Sequence, residues 1–509
     1  MSLSSAVPDP IRQLLLEHAA GRGLWLVGGA VRDSLLDRPS QDLDFVVHGE
    51  ARPLARALAT ALDGHYFDLD VERDAGRIVR PARAADVATL DFARLRGSSI
   101  LEDLAARDFT VNALATALDA PEQLVDSGSG LQDLRDRRLR ACSPHAMQDD
   151  PVRSLRGVRL ALELDLSMES STKSQIRRAG PHLSRVAAER IRDEFMLMLK
   201  PALAGRSIRL LERLELLWQI CPDLEGLRGT AQSDGANQDA WQHTLVALDR
   251  SAEILNVLVG RLPAELSENL TVGEAALHLG RYREQLAGVM GTSLAGERRV
   301  EQIFCLAVLY HAAGWTDEPS GSETHTAQGG PWLAASRAAQ RCRQLRLSSA
   351  EGRLVETIIR HHRLPRRYPV DEALTPLAIH RYFRTAREAG VLAALLHLAD
   401  FLADQTPPAA LLPWRERLLV VRAILEARFE RAKELLEPPL LLRGDELIAE
   451  LALEPGPVVG AMLSALAEAQ VQGSVRTRAQ ALDFVHHWRA PSPAGGGNLP
   501  PAVDPGQEA

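Results

Sequence analysis

Apolar and polar positions change their period once along this chain. Within the first 140 residues, short runs of strand length alternate with segments of helical spacing. Gly23–Val27, Leu43–Val47 and Ala88–Leu95 predict strands and Arg77–Arg80 a further short one, while Arg32–Leu36 and Ala51–Leu62 predict helices. From Leu131 onward the spacing is helical almost throughout, with amphipathic helices expected over Val152–Leu164, Ala187–Leu199 and Ile208–Leu217. Pro151 stands where a first helical turn accepts proline. The expected class is α+β: a small N-terminal sheet domain followed by mostly α-helical domains.

Polar and Pro/Gly-rich stretches divide the helical part. Arg228–Asp239 reads as a linker, Gly314–Gly330 as a loop, and the tail from Pro491 as disordered. The expected divisions are 1–140 (sheet domain), 141–227 and 228–435 (helical), 436–490 (a C-terminal helical region) and 491–509 (the tail). Aromatic residues make up only 4% of the 509, which favours helix over sheet for most of the chain.

Charge adds little at the level of the whole chain. The net value of −8 gives no global attraction for nucleic acid. Between Asp133 and Arg213, however, seventeen Lys/Arg face eleven Asp/Glu, a local excess suited to phosphate contacts or to an ordinary solvated surface. Four cysteines lie far apart at 142, 221, 305 and 342 without a CxxC pair, which argues against a zinc ribbon or a disulfide framework. The first twenty residues lack the pattern of a signal peptide, and no uncharged apolar run reaches the ~18 residues that span a bilayer. A cytoplasmic protein without a membrane segment is expected, and its oligomeric state is left open.

Candidate chemistry begins at Gln41-Asp-Leu-Asp-Phe-Val-Val47. Asp42 and Asp44 stand two apart on a strand and so project from one face. Strand interiors disfavour Asp, and adjacent carboxylates repel unless a cation neutralises them. Oxygen ligands of this kind suit Mg²⁺ with phosphate co-ligands, although a solvated strand end fits an isolated DxD as well. Gly28-Gly29 separates an apolar strand from a helix carrying Arg32, and serves either as a phosphate-approaching backbone or as a plain turn. Downstream, Arg107, Asp108 and Asn112 fall on a segment expected to be helical, with Asp108 and Asn112 on one face. Asp150, Arg153 and Arg156 recur at three-residue spacing, again expected on one helix face. A carboxylate accepts from an exocyclic amine and an Arg donates to ring acceptors, so such a pair could read a base edge; a surface ion-pair network is the other reading.

In order along the chain, these segments resemble the class II tRNA nucleotidyltransferase/poly(A) polymerase family of the polymerase-β-like nucleotidyltransferases. LVGGAVRDSLLDRPSQDLDFVV (Leu26–Val47) is similar to the family signature, and Ala106–Ala115 to its RRDFTxNA segment. Asp149–Leu160 is similar to the EDxxRxLRxxRFA helix, and Glu189–Glu194 to a later ERIxxE element. The resemblance implies that Asp42 and Asp44 bind catalytic Mg²⁺ and that Gly28, Gly29 and Arg32 hold a triphosphate. It implies a third carboxylate at Asp91, with Asp86 as the fallback, and a ribose and nucleotide pocket at Arg107, Asp108 and Asn112. Base reading falls by the same likeness to Asp150 and Arg153, with Arg156 and Arg159 further along that helix. Three departures occur: the double Arg is Ala106-Arg107, the Glu-Asp is Asp149-Asp150, and the usual Ala after it is Pro151.

The implied activity is template-independent transfer of CMP, and in the full CCA version AMP, from CTP and ATP to the tRNA 3′ end with release of pyrophosphate. A poly(A) polymerase shares these motifs, and a non-catalytic RNA-binding relic is the alternative outside enzymes. Members that add the full CCA end carry a flexible loop between the third-carboxylate strand and the RRDFT segment. Here Asp91–Leu104 runs almost directly into Arg107, which points to CC addition. In the second helical block, His243, His311, His362, His397 and Asp400 have a spacing similar to an HD-type metal phosphohydrolase. The Asp expected after the second His is Ala312, implying a degenerate, structural domain.

Overall fold

The structure is a computed structural model that describes residues 6–80, 87–230, 239–260, 270–315, 329–368, 374–405 and 411–488. Asp86, most of the Arg228–Asp239 and Gly314–Gly330 segments, and the tail from Pro491 lie outside the described residues. The chain forms two compact units, Met1–Glu253 with Met290–Glu356, and Ile254–Val289 with Thr357–Ala509. No described helix is long and apolar enough to cross a membrane.

The first unit is organised on one mixed sheet. Its strands are β1 (Leu24–Val27), β2 (Asp42–Val47), β3 (His65–Asp70), β4 (Ala75–Val79), β5 (Thr89–Arg94), β6 (Leu114–Ala117) and β7 (Ala120–Asp126). They lie in the order β3-β4-β5-β2-β1-β6-β7, with β2 and β5 parallel and the other pairs antiparallel. The helices around it are α1 (Asp9–Ala19), α2 (Gly29–Leu35), α3 (Ala51–Ala61) and α4 (Ile100–Ala105).

Strand alternation sorts the side chains onto two faces. Leu43, Phe45 and Val47 of β2 join Leu90 and Phe92 of β5 in one core with Leu15 of α1 and Leu54 and Leu58 of α3. The rings of Phe45 and Phe92 stack there, 5.1 Å apart. The opposite parity carries Val27, Val46 and Ala115, which pack with Leu104 of α4 in a second, smaller core. Asp42 and Asp44 share that second parity, beyond the end of the apolar patch.

A helical continuation follows: α5 (Gly130–Arg135), α6 (Ala146–Asp149), α7 (Arg153–Glu163), α8 (Ser170–Ala179), α9 (Ala188–Met198) and α10 (Pro201–Arg213). Phe109 anchors it to the sheet region. A β-carbon at Gly157 of α7 would lie 2.7 Å from the Phe109 ring, so only glycine lets the aromatic approach. Gly390–Asp404, almost wholly apolar, is the buried centre of the second unit, and the helices Gly444–Leu451, Pro457–Val471 and Arg478–His487 close around Leu447, Met462, Leu466 and Val485.

Several expectations are corrected. The sheet has seven strands, and β3, β6 and β7 carried no strand signal because they are polar or rich in Ala. Residues 107–112 are not a helix: α4 ends at Ala105, Phe109 is extended, and Thr110–Asn112 forms a single 3₁₀ turn. Asp150 is extended and precedes α7, so it does not share a helix face with Arg153 and Arg156. The helix expected over Ile208–Leu217 instead begins at Pro201 and stops at Arg213. All four cysteines are free.

Candidate active site

Register brings three carboxylates together. Asp44 of β2 lies directly beside Asp91 of parallel β5, and Asp42 sits two residues before Asp44 on the same face. Among the described residues, neither Asp42 nor Asp44 has a side-chain hydrogen bond or ion pair. Asp44 opens to solvent on one side and is walled by protein on the others. Lost hydration, then the charges of Asp91 and Asp42, push its pKa up to about 6 against the pull of Arg107 and Arg156. Asp91 is held differently. Arg77 of β4, its cross-strand neighbour, grips both oxygens, Nε to Oδ1 and Nη2 to Oδ2, each at 2.8 Å.

The glycine turn forms the wall beside these groups. Gly28 adopts φ 74°, and its N–H donates to the Leu114 carbonyl. A β-carbon there would lie 3.1 Å from Nη1 of Arg107 and 3.7 Å from Oδ2 of Asp44, so the bare backbone separates a guanidinium from a carboxylate. Arg107 is steadied by buried Asp103, whose Oδ2 accepts from Nε at 3.2 Å and from Nη2 at 3.1 Å. The N–H of Arg96 occupies the other Asp103 oxygen.

Arg32 is engaged by neighbouring side chains. It is buried, with Nε and Nη2 on Asp33 and Nη1 on Oδ1 of Asn112 at 2.6 Å. Asn112 Nδ2 then donates to Oδ1 of Asp108, which also receives the Phe109 N–H. Arg156 donates to the second Asp108 oxygen at 3.1 Å and to Glu194 at 2.9 Å. Arg159 completes the run on Glu194 and Glu163, each at 2.8 Å. Burial raises the Asp108 carboxyl, but Arg156, the Phe109 N–H and Asn112 outweigh it and hold it below the usual carboxylate range. Glu194 is likewise held down by Arg159 and Arg156 against its burial.

Asp150 and Arg153 stand apart from that run. Arg190 donates to Oδ2 of Asp150 at 2.7 Å, and Nε of Arg153 lies 4.0 Å from the same oxygen. The Arg153 guanidinium also reaches the carbonyls of Ala106, Arg107 and Ala146. The structure therefore brings Gly28, Asp42, Asp44, Asp91 and Arg107 together at one end of the central strands and groups Asp150 with Arg153. Gly29 lies at the start of α2, within 3.6 Å of the Arg32 guanidinium as measured from an added β-carbon. Arg32, Asn112, Asp108, Arg156 and Arg159 form a partly buried polar chain behind the site.

Arg77, Asp103, Arg190 and Glu194 were missed as participants. Arg190 and Glu194 sit inside the ERIRDE stretch, where their signal was available. Asp103 precedes Arg107 by four residues at the end of a short helix, a spacing that could have flagged it. Arg77 gives no signal without the register of β4 on β5.

The histidines of the helical block fall in different units. In the first, buried His243 and His311 approach with Nε2 atoms 3.2 Å apart, and the Trp315 ring lies tilted beside His243 with centroids 5.0 Å apart. In the second, Nε2 of His362 lies 3.6 Å from Asp400, and burial pushes the His397 pKa down to about 4. Ala312 is fully buried.

Comparison with known proteins matches residues 24–140 to a poly A polymerase head domain and residues 165–227 to a probable RNA- and SrmB-binding site of polymerase A. A CC-adding tRNA nucleotidyltransferase of Geobacter sulfurreducens is 33% identical over 490 residues, 95% of this chain and 96% of that one. An A-adding tRNA nucleotidyltransferase of Deinococcus radiodurans is 32% identical over 92% of this chain and 96% of its own. The fold is similar to that of the Thermotoga maritima CCA-adding enzyme solved with tRNA, at a TM-score of 0.56 and 18% identity, covering 95% of this chain and 97% of that one.

Proposed function

The chain belongs to the class II tRNA nucleotidyltransferase/poly(A) polymerase family, and from that premise we propose that it adds CC to the 3′ end of cytoplasmic tRNA from CTP. The observation that carries the choice is the connection between β5 and α4, which is only residues 95–99 long. By the family pattern, a loop at this place accompanies addition of the terminal A. A relative named for A addition stands at nearly the same identity as one named for CC addition, so identity alone does not decide. Poly(A) polymerase activity is the second reading, favoured by the head-domain match.

The family uses divalent metal ions, and the donor set here fits one. Two carboxylates without protein partners and a third beside them form a cluster in which lost hydration and then mutual repulsion raise Asp44, which a cation would relieve. We assign Asp42 and Asp44 as the ligands and Mg²⁺ as the ion. When bound, it supplies charge stabilisation to the attacking and leaving oxygens. The bond from the terminal 3′-oxygen to the α-phosphorus forms as the α,β-anhydride breaks and pyrophosphate leaves. Gly28 and Gly29 let the triphosphate approach the backbone, and Arg107, aimed by Asp103, offers Nη1 to its oxygens. The Arg32–Asn112–Asp108–Arg156 chain fixes the pocket wall by hydrogen bonds rather than by touching phosphate.

Asp150 and Arg153 are the base readers. Asp150 accepts from the cytosine amine, while uracil presents an acceptor there and is repelled. Arg190 positions Asp150. The helical block with His243 and His311 serves a structural role, because Ala312 supplies no ligand. The deciding experiment supplies single triphosphates to tRNA transcripts ending before CCA or after CC. Two C additions to the first and none of A to the second are expected; efficient AMP addition to the CC-ended transcript sinks the CC reading, and extension of an mRNA-like primer favours the polymerase.

A further inference from the structure

The carboxylate row does not stop at Asp91. Asp44 pairs in register with Asp91, Asp91 with Arg77, and Arg77 with Phe67 of the edge strand β3. Directly paired residues on neighbouring strands point to one face, so Phe67 extends the face that carries the carboxylates. Three strand spacings place it roughly 14 Å from Asp44, within reach of the last nucleotides of an RNA whose end lies at the carboxylates. Tyr66 and Asp68, of opposite parity, turn to the other face, where Arg56 covers Tyr66 and Arg52 binds Asp68.

Phe67 is 53% exposed, an unusual cost for an aromatic on an ordered strand. Leu69 and Val71 beside it are exposed as well. Edge pairing with another copy of the chain is disfavoured: the ladder is irregular between Asp68 and Asp70, and both are charged. Next to the ring, Arg77 has 43% of its side chain open to solvent while its fork holds Asp91. An aromatic plane beside an accessible guanidinium is the pairing that binds single-stranded nucleic acid, by stacking and by phosphate contact.

We propose that Phe67 and Arg77 form a subsite for the acceptor strand, in which the Phe67 ring stacks on a base near the RNA 3′ end and Arg77 donates to an adjoining phosphate. This rests on the reading of the chain as a transferase acting on an RNA end. Arg77 would then be shared between Asp91 and the phosphate, which couples arrival of the acceptor to the third carboxylate.

The test compares full-length wild type with Phe67→Ala, Phe67→Trp and Arg77→Gln. Fluorescence anisotropy on a labelled tRNA transcript ending before CCA gives affinity, and steady-state assays give KM for RNA and for CTP separately. Phe67→Ala should bind RNA about tenfold more weakly, the share of one base stack, with KM for CTP unchanged. Phe67→Trp should restore affinity, and its added indole emission should be quenched by the RNA. Arg77→Gln should lessen the steepness of the salt dependence by about one. Wild-type RNA affinity in Phe67→Ala overturns the subsite, as does a rise in KM confined to CTP. Loss of self-association in Phe67→Ala without any change in RNA affinity also overturns it, since the face is then a contact between copies. If wild type binds RNA but transfers nothing, the proposed function fails while the affinity series still decides the subsite. If wild type transfers and Phe67→Ala matches it, the subsite alone fails.

Discussion

Asp44 is placed where its charge is least comfortable, with part of its hydration lost and Asp91 and Asp42 beside it, and this gives it a readable signature. Its folded pKa of about 6 exceeds the ordinary 3.8, so the folded state favours the protonated form. The stability it contributes to the metal-free protein is full below about pH 3.8 and is lost as the pH rises through 6. Asp44→Asn removes a charge that opposes folding at neutral pH. The metal-free variant should therefore melt higher than wild type at pH 7.5 and match it more closely at pH 4, while nucleotide transfer disappears. Calorimetry in EDTA and a transfer assay measure both; an Asn variant that still turns over refutes the metal assignment. In wild type, divalent-ion affinity should fall as the pH drops below about 6, because the ion then competes with a proton at Asp44. At Asp150 the signature is selectivity. Removing the acceptor by Asp150→Ala should bring CTP and UTP closer in kcat/KM by about tenfold or more, with divalent-ion binding unchanged. Undiminished discrimination would move base reading to other residues.

At the scale of elements, the joint between the sheet and the helices is polar, with its carboxylates buried and its arginines partly open. Glu194 of α9 holds both Arg156 and Arg159 of α7, and Arg156 continues to Asp108 in the turn that ends at Asn112. Removing one partner of a buried pair leaves stranded charge and costs about 3–5 kcal/mol. Here Arg156 is partly exposed and keeps Asp108, and Arg159 keeps Glu163, so Glu194→Ala should cost less, about 2 kcal/mol. A urea titration should register the drop, together with lower activity as Asp108 and Asn112 lose their support; an unchanged midpoint would show the joint to be held by apolar packing around Phe109. This level also marks where sequence stopped being legible. Strand parity put Asp42 and Asp44 on one face, and the apolar core of β2 and β5 followed from the same alternation. β3 and β7 interleave polar residues without a clean alternation, and β6 is only four residues long, two of them alanine, so their pairing came only from tertiary register. Arg77 and Phe67 depend on that register and were invisible for the same reason. The 107–112 segment shows the converse, since Asn112 does bond to Asp108 as a helix would have it, but through a tight turn.

For the whole molecule, the net charge of −8 stands against a polyanionic substrate, and the conflict is settled by distribution. The basic excess between Asp133 and Arg213 lies on the helices that follow the sheet, and several of its arginines retain exposed side chains, Arg190 at 53% and Arg206 at 59%. Others, Arg156 and Arg159 above all, are consumed by buried carboxylates and are not available to phosphate. Net charge therefore overstates the repulsion and the residue count overstates the attraction. What remains is a modest set of exposed guanidiniums, each phosphate contact contributing about 0.9 to the slope of log affinity against log salt. tRNA affinity should accordingly fall between 50 and 200 mM salt by roughly one to three orders of magnitude, with CTP affinity measured without RNA changing much less. Filter binding across that range, with wild type beside Arg190→Gln, tests the idea. A flat salt response would place the recognition of RNA in stacking and shape, whereas a slope unaltered by Arg190→Gln would leave Arg190 wholly to its other task of holding Asp150.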